Sequence, residues 1–117
     1  MGLPNIRDLF DIKGKVALIT GATGGFGHAA ALGLAAAGAK IMVTGRSEKN
    51  LQPIVEEITD AGRAALCCAG SAIDEQDVNR IVDTCVDGFG GIDILVTAAG
   101  VNKPGAIICV DGGYTAG

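Results

Sequence analysis

The residues with the clearest chemical capacity are eight in a row, Thr20-Gly21-Ala22-Thr23-Gly24-Gly25-Phe26-Gly27. Gly21 permits a tight turn, Gly24 or Gly25 lets the main chain come close to a phosphate, and Gly27 allows a helix to pack tightly on a strand. If a helix starts there, its free N–H groups and positive dipole end suit a pyrophosphate. Other candidates have plainer readings. His28 is expected on a helix surface. Asp74, Glu75 and Asp77 form an acidic helix start that the dipole favours without any metal. Asp111 is expected in a turn. Tyr114, the single tyrosine, has no lysine one helical turn on to lower its pKa, so it reads as a tail residue. Cys67, Cys68, Cys85 and Cys109 show no CxxC spacing, and the one histidine does not complete a zinc site. Cys67, Cys68 and Cys109 lie in apolar surroundings and are expected to be buried free thiols in a reducing cytoplasm.

The elements that must position the glycine loop follow from the apolar pattern. Val16–Thr20 is a continuous apolar run, as in a strand buried on both faces. Phe26 to Ala37 reads as an alanine-rich helix stopped by Gly38. Lys40–Thr44 is a second strand. Ser47 is expected to cap a helix with Leu51, Ile54, Val55 and Ile58 on one face, ended by Gly62, with Pro53 close to its N-terminus. Ala64–Cys68 is a third strand. Asp74 caps a helix carrying Val78, Ile81, Val82, Cys85 and Val86, which Gly88, Gly90 and Gly91 break. Ile92–Thr97 and Ala106–Val110 are the fourth and fifth strands. Strands alternating with helices imply an α/β fold with a parallel sheet. Only eight residues, Ala98 to Gly105, precede the fifth strand, and a parallel crossover needs a dozen or more. The fifth strand is therefore expected to turn back antiparallel or to be exchanged with another chain.

Composition bounds the remainder. The chain has 117 residues, enough for one domain, 1–117, with one core. Apolar residues at 49% exclude a disordered chain, and the near absence of aromatics makes the core aliphatic. Glycine stands at 19 residues without a collagen period, as expected for turns and close approaches. The net charge is −4 and the basic residues are scattered, so nucleic-acid binding is not expected. No apolar run approaches membrane-span length, and no secretory signal is visible; a cytoplasmic location is expected.

Three motifs carry a family resemblance. Thr20-Gly-x-x-x-Gly-x-Gly27 resembles the cofactor motif of the classical short-chain dehydrogenases/reductases. Ile92 to Gly100 resembles that family's fourth strand and Asn-Asn-Ala-Gly motif, with Thr97 and Ala98 in place of the two asparagines. Val110-Asp111-Gly112-Gly113 resembles its C-terminal signature. The resemblance runs from about Phe10 onward. It implies a Rossmann-like, doubly wound sheet of strand order 3-2-1-4. The family's Ser and Tyr-x-x-x-Lys region would fall between the last two motifs and has no counterpart here, so the chain resembles an internally truncated member. No catalytic residue is assigned.

The same resemblance implies a dinucleotide cofactor. In this family the end of the second strand reads the ribose. Thr44-Gly45-Arg46-Ser47 carries no acid there, and Arg46 can fork two hydrogen bonds onto a 2′-phosphate, with Ser47 adding a hydroxyl. NADP(H) is expected, with NAD(H) second. The cofactor-binding set is Gly21, Thr23, Gly24, Gly25, Phe26, Gly27, Arg46, Ser47, Ala99 and Gly100. The stretch Ala69-Gly70-Ser71-Ala72 lacks the carboxylate that the family commonly offers the adenine. Three functions compete: a catalytically silent NADP(H)-binding module, an oxidoreductase acting on a carbonyl or secondary alcohol, and an assembly fragment. The last pairs with itself or with a related chain through exposed apolar surface.

Overall fold

The structure is a computed structural model that describes residues 12–97 in full and residues 107–115 as a strand of the main chain. The elements run β1 (Val16–Thr20), α1 (Gly25–Ala36), β2 (Lys40–Gly45), α2 (Glu48–Asp60), β3 (Ala65–Ala69), α3 (Glu75–Phe89), β4 (Gly91–Thr97) and β5 (Ile107–Thr115). They form one five-stranded sheet of order β3-β2-β1-β4-β5. The β1–β2, β1–β4 and β2–β3 pairs are parallel, and β4–β5 is antiparallel. The expected order 3-2-1-4 and the turned-back fifth strand are both present. Only nine residues separate Thr97 from Ile107, its partner in the ladder, too few for a parallel crossover.

Alternation along β1 divides the interior. Ala17 and Ile19 join Ile41, Val43, Ala31, Ala35, Leu51, Ile54 and Ile58, which places α1 and α2 on one face. Val16 and Leu18 join Met42, Ile81 and Cys85, which places α3 on the other. Both faces of the central strands are covered, which is why they read as unbroken apolar runs. Asp93 adds a long-range tie, its Oδ2 accepting from the Val16 amide at 2.9 Å.

Several boundaries differ from expectation, each for a local reason. Helix α3 runs through Gly88 and stops at Gly90, whose φ of 90° ends it in the left-handed region. A Cβ on Gly88 would lie 2.4 Å from Leu66 Cδ1, so that glycine gives β3 room rather than breaking the helix. Pro53 is the sixth residue of α2, not part of its opening turn, and withholds the donor that Lys49 C=O would otherwise meet. Ser47 occupies the N-cap position of α2, but its side chain makes no capping bond. Asp74 does cap α3, accepting from the Asp77 amide at 3.1 Å. Strand β5 extends beyond Val110 to Thr115, so Asp111 is not a turn residue and Tyr114 is not a tail residue. Between the pairs Ile94↔Val110 and Ile92↔Tyr114 the ladder shifts, and Asp111-Gly112-Gly113 fills the irregularity. Glycine within a strand marks such a bulge.

Candidate nucleotide cleft

The parallel strands β1, β2 and β3 end in register, with Thr20 opposite Thr44 and Thr44 opposite Cys68. The loops that leave these three ends enclose a cleft of about 520 Å³. One wall is the β1–α1 turn with Gly21, Thr23 and Gly24. The second is the end of β2 with Thr44, Gly45, Arg46 and Ser47, continued by Asn50 on the first turn of α2. The third is the segment after β3, from Gly70 to Ile73. The main chain stitches the walls together: Ala22 N donates to Thr44 O at 3.3 Å, and Gly70 N to Gly45 O at 2.8 Å.

The β1–α1 turn is built for close approach. Gly21 has φ of 66°, which a side chain would strain, and its carbonyl accepts from Gly24 N at 3.1 Å. The first bond of α1 runs from His28 N to Gly24 O at 2.9 Å, so the amides of Gly25, Phe26 and Gly27 lie ahead of the helical ladder. Gly24 is the N-cap and no side chain caps the helix. A Cβ on Gly25 would meet nothing within 4 Å, whereas one on Gly27 would sit 2.3 Å from Gly21 O and 2.9 Å from Ala22 Cα. Gly27 therefore packs the helix against its own entry turn, and Gly24 and Gly25 leave main chain open beside the free amides.

Of the expected cofactor residues, Gly21, Thr23, Gly24, Arg46 and Ser47 line the cleft. Gly25, Phe26 and Gly27 form the helix start next to it, with Phe26 exposed and Gly27 buried. Ala99 and Gly100 lie outside the described residues. Arg46 is exposed and makes no ion pair with another described residue. The cleft also contains residues that sequence reasoning left out of the set. Asn50, three residues after the N-cap Ser47, shares its face of the first turn. Ile73 stands at the rim and is 93% exposed. Thr44 is 2% exposed, and its Oγ1 is buried with no hydrogen-bond partner among the described residues. A buried hydroxyl without a partner is costly.

Other titratable groups lie elsewhere. His28 Nε2 meets Glu57 Oε2 at 3.1 Å on the surface between α1 and α2, away from the cleft. The fully buried thiol is Cys85, while Cys67 and Cys68 are half-buried; this corrects the expected trio, and the Cys109 side chain lies outside the described residues. Burial pushes the Cys85 thiol up to about 11. Burial, then the charge of Glu48, raises Cys67 as well. Among the described residues no group of histidine, cysteine or carboxylate side chains could hold a metal ion, and no helix is long and apolar enough to cross a membrane.

Comparison with known proteins meets the same region. The short chain dehydrogenase family model matches residues 15–111. The 2-dehydro-3-deoxy-D-gluconate 5-dehydrogenase of Formosa agariphila is 40% identical over 97 residues, which cover 82% of this chain and 37% of that protein. The crystal structure of L-sorbose reductase from Gluconobacter frateurii, complexed with NADPH and L-sorbose, superposes with a TM-score of 0.75 at 34% identity. That match covers 80% of this chain and 37% of the reductase chain. A short chain dehydrogenase from Burkholderia cenocepacia in complex with NADP gives a TM-score of 0.72 at 38% identity, covering 81% of this chain and 39% of the other. The chain thus spans a little over a third of the length of these proteins.

Proposed function

This chain belongs to the short-chain dehydrogenase family, and from that premise we propose that its cleft binds NADP(H) in preference to NAD(H). The residues fit such a ligand. The free amides of Gly25, Phe26 and Gly27 receive the diphosphate, favoured by the dipole of α1. Gly24 and Gly25 add no side chain to obstruct it. The adjoining ribose would reach the end of β2, where Arg46 and Ser47 would hold a 2′-phosphate. The observation that carries the preference is an arginine, without an ionic partner among the described residues, at a β2 terminus that holds no carboxylate. The two solved structures named above contain NADPH and NADP, which agrees with this reading.

The nicotinamide ring, when bound, supplies the hydride-carrying carbon. The residues of this chain bind and orient the dinucleotide. We assign residues 1–117 to a single dinucleotide-binding domain. In the oxidoreductase type to which it belongs, such a domain serves hydride exchange between the cofactor and a carbonyl or secondary alcohol. Free thiols at Cys67, Cys68 and Cys85 suit a reducing cytoplasm. Titration of NADPH and NADH, followed by nicotinamide fluorescence, tests the preference. A charged hydrogen bond is worth roughly 1.5–3 kcal/mol, so Arg46→Ala weakens NADPH by about tenfold to a hundredfold and leaves NADH nearly unchanged. Tighter NADH binding by the unaltered protein would overturn it.

Self-association is a second reading, supported by one feature. Strand β5, of nine residues, stands at the edge of the five-stranded sheet, and an edge strand is a template for pairing with a strand of another chain. Sedimentation velocity over a range of concentrations tests it, and a monomer throughout would reject it.

A further inference from the structure

The third wall of the cleft has no carboxylate of its own, yet it is held by one. Asp77, on the first turn of α3, points back at the segment after β3, where its Oδ2 accepts from the Ser71 amide at 2.9 Å. Its Oδ1 pairs with Arg80 Nη1 at 3.2 Å. Arg80 Nη2 in turn donates to the carbonyl of Ala69, the last residue of β3. One carboxylate and one guanidinium thus grip the segment at both ends, bracketing Gly70. That glycine is required by the arrangement, since a Cβ there would lie 2.9 Å from Arg80 Nη2, 3.1 Å from Ile81 Cδ1 and 3.2 Å from Asp77 Cβ.

We infer that Asp77 and Arg80 are positioning residues for the adenosine half of the dinucleotide, an inference that rests on the reading proposed above. The direction follows from the order of the walls. The diphosphate lies at α1 and the ribose at the end of β2, so the base, which extends from the ribose away from the diphosphate, reaches the wall after β3. There Ile73 presents an exposed apolar side chain, and Ser71 and Ala72 present main chain. This short segment has no regular structure, and without the brace it must be ordered when the ligand binds. Pre-ordering removes that entropic cost from binding. Asp77 and Arg80 touch no part of the ligand; they act through the segment from Ala69 to Ser71.

The experiment measures NADPH by fluorescence and adenosine 2′,5′-bisphosphate by competition, with the thermal midpoint of each unliganded variant. Arg80→Met and Gly70→Ala remove the grip by different routes, the second by displacing the guanidinium. Each is expected to weaken both ligands by about three- to tenfold, the size of one lost hydrogen bond, with Arg80→Lys restoring part of the affinity. A brace that serves stability alone would lower the thermal midpoint and leave both affinities of the folded protein unchanged, which overturns the inference. Loss of NADPH affinity with the bisphosphate unaffected also overturns it. If the unaltered protein binds neither ligand, the dinucleotide reading itself fails and takes this one with it.

Discussion

Three glycines on helix α1 should respond in three different ways to the same added methyl group. At Gly27 the new Cβ would lie 2.3 Å from Gly21 O and 2.9 Å from Ala22 Cα, both main-chain atoms, so the β1–α1 turn must retreat by about 1 Å to reach an ordinary contact. Overpacking of this kind costs roughly 1–3 kcal/mol, offset by about 1 kcal/mol of better helix propensity. Against main-chain atoms this close the cost sits at the upper end, so the net is a loss of about 2 kcal/mol, and each kcal/mol moves the thermal midpoint by roughly 4–8 °C in a domain of this class. At Gly33 the Cβ meets nothing within 4 Å on the exposed side of the helix, so Gly33→Ala gains about 0.5–1 kcal/mol. At Gly25 the space is equally open, and φ is not positive, so stability holds or rises slightly. The methyl group there stands beside the free amides, however, and NADPH affinity falls by about tenfold or more, the cost of losing at least one charge-assisted hydrogen bond. Urea unfolding and NADPH titration of the three variants read both quantities. Native stability in Gly27→Ala, or native affinity in Gly25→Ala, would refute the reasoning that divides packing glycines from ligand-facing ones.

Two further predictions concern buried groups. The Cys85 thiol, moved by burial from 9.0 to about 11, stays neutral in the folded state after it would have ionised in the unfolded chain. Its contribution is complete below pH 9 and is lost as pH rises toward 11, on the order of 2–3 kcal/mol by linkage. The stability advantage of the unaltered protein over Cys85→Ala should therefore narrow across that range in urea titrations, and a constant gap would contradict it. Thr44→Val removes the unpartnered buried hydroxyl while keeping its shape, so calorimetry of the ligand-free protein should show a gain of about 1 kcal/mol. A loss would mean that the hydroxyl has a partner.

The division of labour between sequence and tertiary structure is visible in particular residues. The glycine loop, the alternation of strands and helices, and Arg46 at the end of β2 were all legible in order along the chain. Each depends on neighbours a few residues away: an apolar run buried on two faces, a helix start without a capping side chain, a strand end. The antiparallel course of β5 was legible too, because loop length alone limits it. The extent of β5 was not, since Asp111-Gly112-Gly113 has turn composition and becomes strand only because β4 lies alongside to pair with it. Gly88 likewise looks like a helix breaker until Leu66 is seen to need the space.

Amino-acid order alone thus determined the class of fold and the glycine loop whose amides lie ahead of helix α1, because local backbone preference and apolar period act over short range. Tertiary structure decided that Asp77 reaches back to Ser71, that Arg80 closes on Ala69, that Thr44 is walled in without a partner and that Cys85 is the sealed thiol. Those outcomes depend on which atoms meet when α3 folds across β3 and the strand ends align, and distances between residues remote in sequence come into being only with that packing.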